Sequence, residues 1–490
     1  HLRRQRTYSM KSKFLSAAYL MLLGVGAVSH LAAQSLEGQV VIHDPSTLVQ
    51  CDGKFYTFGT GGGSLVSEDG WTWRRGGSIP RRAMAPDVIQ IGGKYYAYAA
   101  ANVGAQPRAD MHLLVNTTLD PSAPGYKWEE GGLVVSSDGV EDCNAIDPGL
   151  LRDPNDGRLW LVYGSYFGYI RLVELDPTTG KRLNPAEKPR DIAINSEASI
   201  LIFHDGWYYL LVTHGSCCRA ADSGYNIRVG RSRKVTGPYL DNAGVDMIQG
   251  GGKLFLGSGG RLIGPGHFGL IDLGDGVQKF SMHWEADLDR GGASVLDIRP
   301  LQWKDGWPVA GENLKPGTYQ IESMRTGTTL ELAVEGFPVG GRPVRRRPPG
   351  PPPGPGGQPR TPPAPGTAQQ GPPAGGGFGP GGMFGGQGGV IPPQDVAQVS
   401  AKWPSGDIDL RMGNYMCQAQ QKLVTAPPVT GGPEQLWRVD QLADGSWRIM
   451  PKSSSASKQP LVLSAIGASS ATLSKFDPKS EKQRWWIKTP

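Results

Sequence analysis

The stretch VVIHDPSTLVQCDGKFYTFGTG, residues 40–61, decides how the fold is read. A strand-like run ends in His43-Asp44-Pro45-Ser46, and a second strand, Phe55-Tyr56-Thr57-Phe58, follows Gly53. Taken by itself this is a hairpin. Asp caps the local backbone and Pro presets φ, so Asp-Pro is an ordinary turn opener. Its meaning changes because the chain repeats it.

A Gly followed by an alternating aromatic strand recurs: GKFYTFGT at 53, GKYYAYAA at 93, GRLWLVYGS at 157, GWYYLLVTHGS at 206 and, more weakly, GVQKFSMHW at 276. Ahead of each lies a turn carrying one polar residue: IHDPS, MAPDV, AIDPG, SEAS and GPGHF. From Asp44, Asp87, Asp147, Glu197 and His267 the strand-opening Gly lies 9, 6, 10, 9 and 9 residues on. The repeat period runs from 43 to 70 residues, the range of propeller blades with several strands each. From Gln34 to about Ala310 there is no sustained 3.6-residue apolar period, so the region reads all-β. Five units predict a five-bladed β-propeller over 34–310, with the five polar residues converging on one central channel. The alternative is a β-sandwich whose hairpins are alike by accident.

The ends read differently. From Met10 a basic pair, Lys11 and Lys13, precedes the apolar run FLSAAYLMLLGVGAV and His30-Leu31-Ala32-Ala33. This is the layout of a secretory signal peptide over 1–33, too short in its apolar part for a membrane anchor. The nine residues before Met10 read as upstream translation. Residues 1–33 carry five basic residues and no acid, so the formal charge of +6 falls to about +1 in the exported chain. No nucleic-acid partner is implied, no membrane partner remains once the signal is removed, and a monomer is expected.

Five cysteines, Cys51, Cys143, Cys217, Cys218 and Cys417, show no zinc spacing and no dense disulfide framework. The adjacent pair Cys217-Cys218 is expected to pack rather than to bond with itself.

Residues 338–394, with RRRPPGPPPGPGGQPRTPP and GGGFGPGGMFGGQGG, bury too little apolar area to offset ordering, so they are expected to be a disordered Pro/Gly-rich insert. Strand-like sequence flanks it at 311–337 and 395–490. Gln435-Leu436-Trp437 and Gln483-Arg484-Trp485 stand 48 residues apart. This Q-x-W spacing resembles the ricin-type β-trefoil carbohydrate-binding repeat, in which Gln and Trp mainly build the core. The resemblance implies a trefoil-like domain interrupted by the insert.

Asp44, Asp147 and Glu197 around one pocket suit glycoside hydrolysis, which needs one ionised and one protonated carboxyl flanking the scissile bond. A third carboxylate raises the acid's pKa by like-charge repulsion. In this order, V-I-H-D-P-S, M-A-P-D-V, C-N-A-I-D-P-G, N-S-E-A-S and G-P-G-H-F resemble glycoside hydrolase family 43 over residues 38–305. The segment S-C-C…Y-N-I-R-V-G-R-S-R-K-V-T-G-P-Y resembles its endo-arabinanase branch.

The resemblance implies inverting cleavage of internal α-1,5-linked arabinan, with plant cell-wall arabinan or arabino-oligosaccharides as partner and no organic cofactor. Asp44 would be the general base, Glu197 the general acid and Asp147 the modulator of its pKa. Asn144, Ala145, Ile146, Ser165 and Tyr166 would line the substrate subsite. Asp87 would orient substrate or hold its own turn, which Ala85-Pro86 sets. His267 would sit near a water-ligated calcium or another small cation. Arg228 is expected to be either a channel ligand or, in preference, a partner for a carboxylate. Two departures from the family pattern, Met84 and Tyr166-Phe167, fall near the sugar platform. They leave room for an exo-acting α-L-arabinofuranosidase or β-xylosidase on the same fold. A rival of another class, a non-catalytic glycan-binding propeller, has no need of a base–acid pair.

Overall fold

The structure, a computed structural model, describes residues 36–332 apart from 81–82, 105–106, 141, 167, 273–274, 315–318 and 328. It also describes strand pieces Gly389–Val390, Leu410–Met412 and Met416–Cys417, and residues 436–489 apart from 452–458 and 467–469. The expected signal peptide, nearly all of the Pro/Gly insert and Gln435 lie outside these residues. Gly389–Val390, inside the 338–394 stretch, pairs with Met416–Cys417.

Among the described residues there is no α-helix, only strands and short 3-10 turns. Five consecutive antiparallel sheets of four or five strands follow one another along the chain. Each opens on an inner strand: Val49–Cys51, Met84–Ile91, Gly149–Arg152, Glu197–His204 and Leu262–Asp272. Neighbouring inner strands touch in sequence, so the five sheets stand as blades around an axis. The Gly-aromatic repeat is the second strand of each of the first four blades and GVQKF enters that of the fifth. Asp52-Gly53 and Asp205-Gly206 make the first turns of blades one and four with positive φ at both residues, the twist a two-residue hairpin needs. The N-terminal segment closes the ring. Glu37–Gly38 pairs with the outer strand of blade one, and Val41 bridges Val295 in blade five.

The blades are held by apolar layers at their interfaces. Tyr98, Met111 and Leu161 pack blade two against blade three, and Val162, Leu210 and Tyr239 pack blade three against blade four. Phe280 and Trp284 of blade five join Leu65 and Trp73 of blade one in the largest layer. Near the axis the backbones themselves meet. A Cβ placed on Gly149 would lie 2.0 Å from the Ser199 carbonyl oxygen, so blade three approaches blade four only because residue 149 has no side chain. Gly149→Ala is expected to destabilise the protein by about 1–3 kcal/mol or more, read as a lower urea midpoint at unchanged m.

Beyond the propeller a four-stranded sheet runs in the order Gln320–Ser323, Trp485–Lys488, Trp447–Pro451, Trp437–Gln441. Trp485 is fully buried, and its Nε1 donates to the Leu463 carbonyl at 3.0 Å. Gln483 is buried too: its amide donates to Ser474 and Lys475 and accepts the Asp477 N–H. The second Q-x-W copy therefore builds a core. This sheet docks on blade five. The Ala443 carbonyl accepts the Trp303 N–H, the Ala443 N–H reaches Gly276, and Asp440 meets Lys279 at 2.9 Å.

Candidate active site

Asp44, Asp87, Asp147, Glu197 and His267 sit at or just before the five inner strands, and all five are buried. Three occupy or adjoin left-handed backbone at their turns: Asp44 (φ 50°), Asp147 (φ 54°) and His267 (φ 60°), while Ala198 (φ 47°) follows Glu197. Non-glycine residues adopt this region at a cost of about 1–3 kcal/mol each, and such strain collects at functional sites. Here it turns the side chains of separate blades toward one axis.

Asp44 is the most heavily contacted. Its Oδ2 accepts the Thr60 hydroxyl at 2.6 Å and lies 3.4 Å from His43 Nε2. Its Oδ1 lies 3.2 Å from His267 Nδ1. Burial pushes its pKa up, but the hydrogen bond and positive charge of His267, with His43 and His283, outweigh burial and hold the carboxyl well below the usual range. Burial opposes protonation of His267, yet Asp44 and Asp147 raise its pKa to about 9.

Glu197 behaves in the opposite sense. Burial and the Asp44 charge raise its pKa to about 7, against a hydrogen bond donated by the Tyr225 hydroxyl to Oε1. Asp147 is also raised well above its ordinary value, chiefly by burial, with Glu197 and Asp44 adding to it and His267 opposing. Its Oδ2 accepts the Ala198 N–H at 3.1 Å, tying it to the peptide beside Glu197. Near neutral pH the site thus pairs an ionised Asp44 with a Glu197 that still holds a proton part of the time, the division of labour that acid–base chemistry needs.

Asp87 differs from the other acids. Its Oδ1 accepts the Thr47 N–H of blade one at 2.8 Å, and its Oδ2 accepts the Leu150 N–H of blade three at 3.0 Å. Expected either to orient substrate or to hold its own turn, it links three blades, with each oxygen accepting a backbone amide from an adjoining blade. Arg228 also departs from expectation: its Nε donates to Asn226 Oδ1 at 3.0 Å, and no carboxylate among the described residues pairs with it. Asn144 is fully buried, with Oδ1 taken by Ser137 and Nδ2 without a partner among the described residues. Ala145 is held by its N–H to Ser137 Oγ, and Ile146 by its N–H to Asn144 O. Ser165 is buried with its hydroxyl unpaired among the described residues, whereas Tyr166 is 37 % exposed and meets His214 edge-on. Phe167 lies outside the described residues.

A small cavity of about 10 Å³, room for a single water, lies between the inner strands, lined by Thr47, Asp87, Pro148, Ser199 and His267 among others. Calcium takes about six to eight oxygen ligands. Of the side chains here, each Asp87 oxygen already accepts one backbone amide and His267 Nδ1 faces Asp44. With His267 carrying a proton against Asp44, the donor set does not fit a directly ligated cation; an ion here would be held through water.

Several contributors escaped the sequence reading. Tyr225 stands in Y-N-I-R but signals nothing locally. His283 and Glu285 alternate on one strand, Gln278–Asp287, so a period-two reading places both on one face. The adjacent cysteines were expected only to pack; Cys217 and Cys218 are bonded to each other, with Cys218 in left-handed backbone (φ 61°). Cys218 Sγ lies 4.0 Å from His43 Nε2, at the rim of the site.

Residues 54–308 match the glycosyl hydrolases family 43. The chain is 32% identical over 307 residues to the extracellular exo-alpha-(1->5)-L-arabinofuranosidase ArbA of Cellvibrio japonicus, covering 56% of this chain and 87% of that protein. It is 29% identical over 333 residues to extracellular endo-alpha-(1->5)-L-arabinanase 1 of Bacillus subtilis, covering 63% and 99%. Among solved structures, the alpha-L-arabinanase of Cellvibrio cellulosa complexed with arabinohexaose aligns with a TM-score of 0.52 at 30% identity, over 56% of this chain and 96% of that one. An exo-1,5-alpha-L-arabinanase from a bovine ruminal metagenomic library aligns with a TM-score of 0.51 at 36% identity, over 55% and 96%. With a propeller of this topology and three buried acids at its axis, the chain belongs to glycosyl hydrolase family 43 and is a glycoside hydrolase.

Proposed function

We propose that this enzyme hydrolyses internal α-1,5-L-arabinofuranosyl linkages of arabinan with inversion. The observation that carries the reading is two buried acids in opposed surroundings. Asp44 lies 3.2 Å from His267 Nδ1, which favours its ionised form, while burial and the Asp44 charge push Glu197, bonded by Tyr225, up to about 7. Asp44 takes a proton from water as the water oxygen bonds the anomeric carbon. The glycosidic C–O bond breaks on the opposite face, and Glu197 gives its proton to the departing oxygen. Asp147, through the Ala198 N–H, positions the peptide that carries Glu197. A small cation held through water near His267 would supply fixed positive charge beside these carboxyls.

Activity then requires Glu197 protonated. The groups acting on it are Tyr225, Asp44, His267 and Glu285. A carboxyl with a pKa of about 7 is charged above that pH, so kcat is expected to hold on the acid side of neutrality and fall as pH rises through about 7. A pH–rate profile with its alkaline limb below pH 5 would contradict this assignment.

The exo reading has its own support, since relatives of both modes align at similar identity. Product length from linear debranched arabinan separates them. Mixed oligomers early in the reaction support internal cleavage; arabinose or one fixed short product from the start supports exo action. Inertness toward arabinan would overturn both.

Two further readings belong with this one. Export through residues 1–33 agrees with relatives named extracellular. The C-terminal strands, with buried Gln483 and Trp485, suit a trefoil-like carbohydrate-binding module.

A further inference from the structure

Asp44 precedes Pro45 and holds φ at 50°, a left-handed conformation that Asp tolerates, as Asp147 does before Pro148, but that still costs energy. Something must hold this turn. The Asp44 N–H donates to His283 Nδ1 at 3.0 Å, across 239 residues and from blade one to blade five. His283 is completely buried. Its other nitrogen, Nε2, lies 3.4 Å from Glu285 Oε1, within reach of charge attraction though not in hydrogen-bond geometry. Glu285 is buried as well; its Oε2 accepts the Cys218 N–H at 2.9 Å, and its Oε1 stands 3.7 Å from His43 Nδ1.

This arrangement determines the tautomer. A neutral imidazole has one lone-pair nitrogen and one N–H. Nδ1 accepts the Asp44 amide, so the proton sits on Nε2, where the Glu285 carboxylate favours it. His43, His283 and Glu285 otherwise look like a metal triad. A metal on Nε2 would move the proton to Nδ1, where it would face the Asp44 N–H, donor against donor. The cluster is therefore not a cation site while that hydrogen bond stands.

We propose that His283 is a positioning residue for the Asp44 base. It fixes the left-handed turn that aims the carboxylate at the channel, with Glu285 setting its tautomer and linking the turn to the Cys217–Cys218 loop. The inference rests on the reading of Asp44 as base. It differs from a packing role in one respect: only the acceptor at the Nδ1 position matters to Asp44.

Two amides separate the roles. In His283→Asn the side-chain oxygen falls near the Nδ1 position and keeps an acceptor for the Asp44 N–H. In His283→Gln the amide reaches the Nε2 position, faces Glu285 and leaves that N–H unpaired. Misplacing a reacting group by about 1 Å costs up to about 100-fold. On linear arabinan, His283→Gln is expected to lose about 10- to 100-fold in kcat, and His283→Asn less than about threefold, with KM within about threefold in both. Equal kcat losses in the two folded variants, or a change in KM alone, would overturn the proposal. If neither variant folds, Glu285→Gln carries the test: an expected kcat loss of about three- to tenfold at constant KM, with an unchanged kcat overturning it. Asp44→Ala, measured alongside, addresses the underlying reading. Full activity in that variant sinks the base assignment, whatever the His283 variants do.

Discussion

Glu197→Gln is expected to lower kcat on linear arabinan by about 10²- to 10⁴-fold, the contribution of a positioned general acid, with KM little changed. The substitution keeps the volume and an oxygen for the Tyr225 hydroxyl, so the fold and the hydrogen bond survive while the transferable proton is lost. The signature lies in leaving-group dependence. Arabinan leaves as a sugar alkoxide, which must be protonated as the bond breaks. An aryl arabino-oligosaccharide with an acidic phenol leaves without help, so the loss there should shrink to about tenfold or less. A variant that loses the same factor on both substrates would show that Glu197 does something other than deliver a proton.

The second large effect lies far from the channel. Asp440→Ala is expected to destabilise the chain by about 3–5 kcal/mol, because removing one partner of a buried ion network strands the others. Asp440 is nearly inaccessible and meets Lys279 at 2.9 Å, Arg438 at 2.8 Å and Arg448 at 2.8 Å; Arg448 reaches on to Asp275 of the propeller. Burial works against its ionisation, but Lys279, Arg438 and Arg448 win and hold the carboxyl far below its ordinary pKa. A depressed folded-state pKa contributes stability that is present above the ordinary carboxylate range and drains as pH falls through it. Urea unfolding near neutral pH should show the loss, and the gap between variant and parent should narrow toward acid pH. A gap that stays constant down to acid pH would mean that the network contributes little.

The propeller was legible because its signal is local and repeated. Each blade writes a turn with one polar residue and then a Gly-aromatic strand, and the order of the five turns is the order of the blades. Asp44, Asp147 and Glu197 could be singled out because chemistry-bearing residues sit at the same step of each repeat. Their partners could not. The His283–Asp44 bond crosses the closure of the ring, and Tyr225 reaches Glu197 from just before Asn226–Ser232, a strand that does not pair with the Glu197 strand; neither residue looks odd in its local sequence. Asp87 repeats the same pattern as the others, and only its two backbone partners from adjoining blades set it apart. The cysteine pair was misjudged because adjacent cysteines were expected to resist bonding to each other, whereas Cys217 and Cys218 are bonded. In the C-terminal region the Gln483–Trp485 repeat marked a core correctly in kind, but nothing in its spacing pointed to the docking of Asp440 and Ala443 on blade five.

The central claim is that Asp44 delivers water to the face opposite a leaving group protonated by Glu197. Proton NMR of the first reducing ends released from linear arabinan tests it most directly. The account predicts β-anomers at the earliest time points, turning into the equilibrium mixture only by mutarotation. α-Anomers at those time points would mean retention through a covalent intermediate and would contradict the assignment of Asp44 as a base.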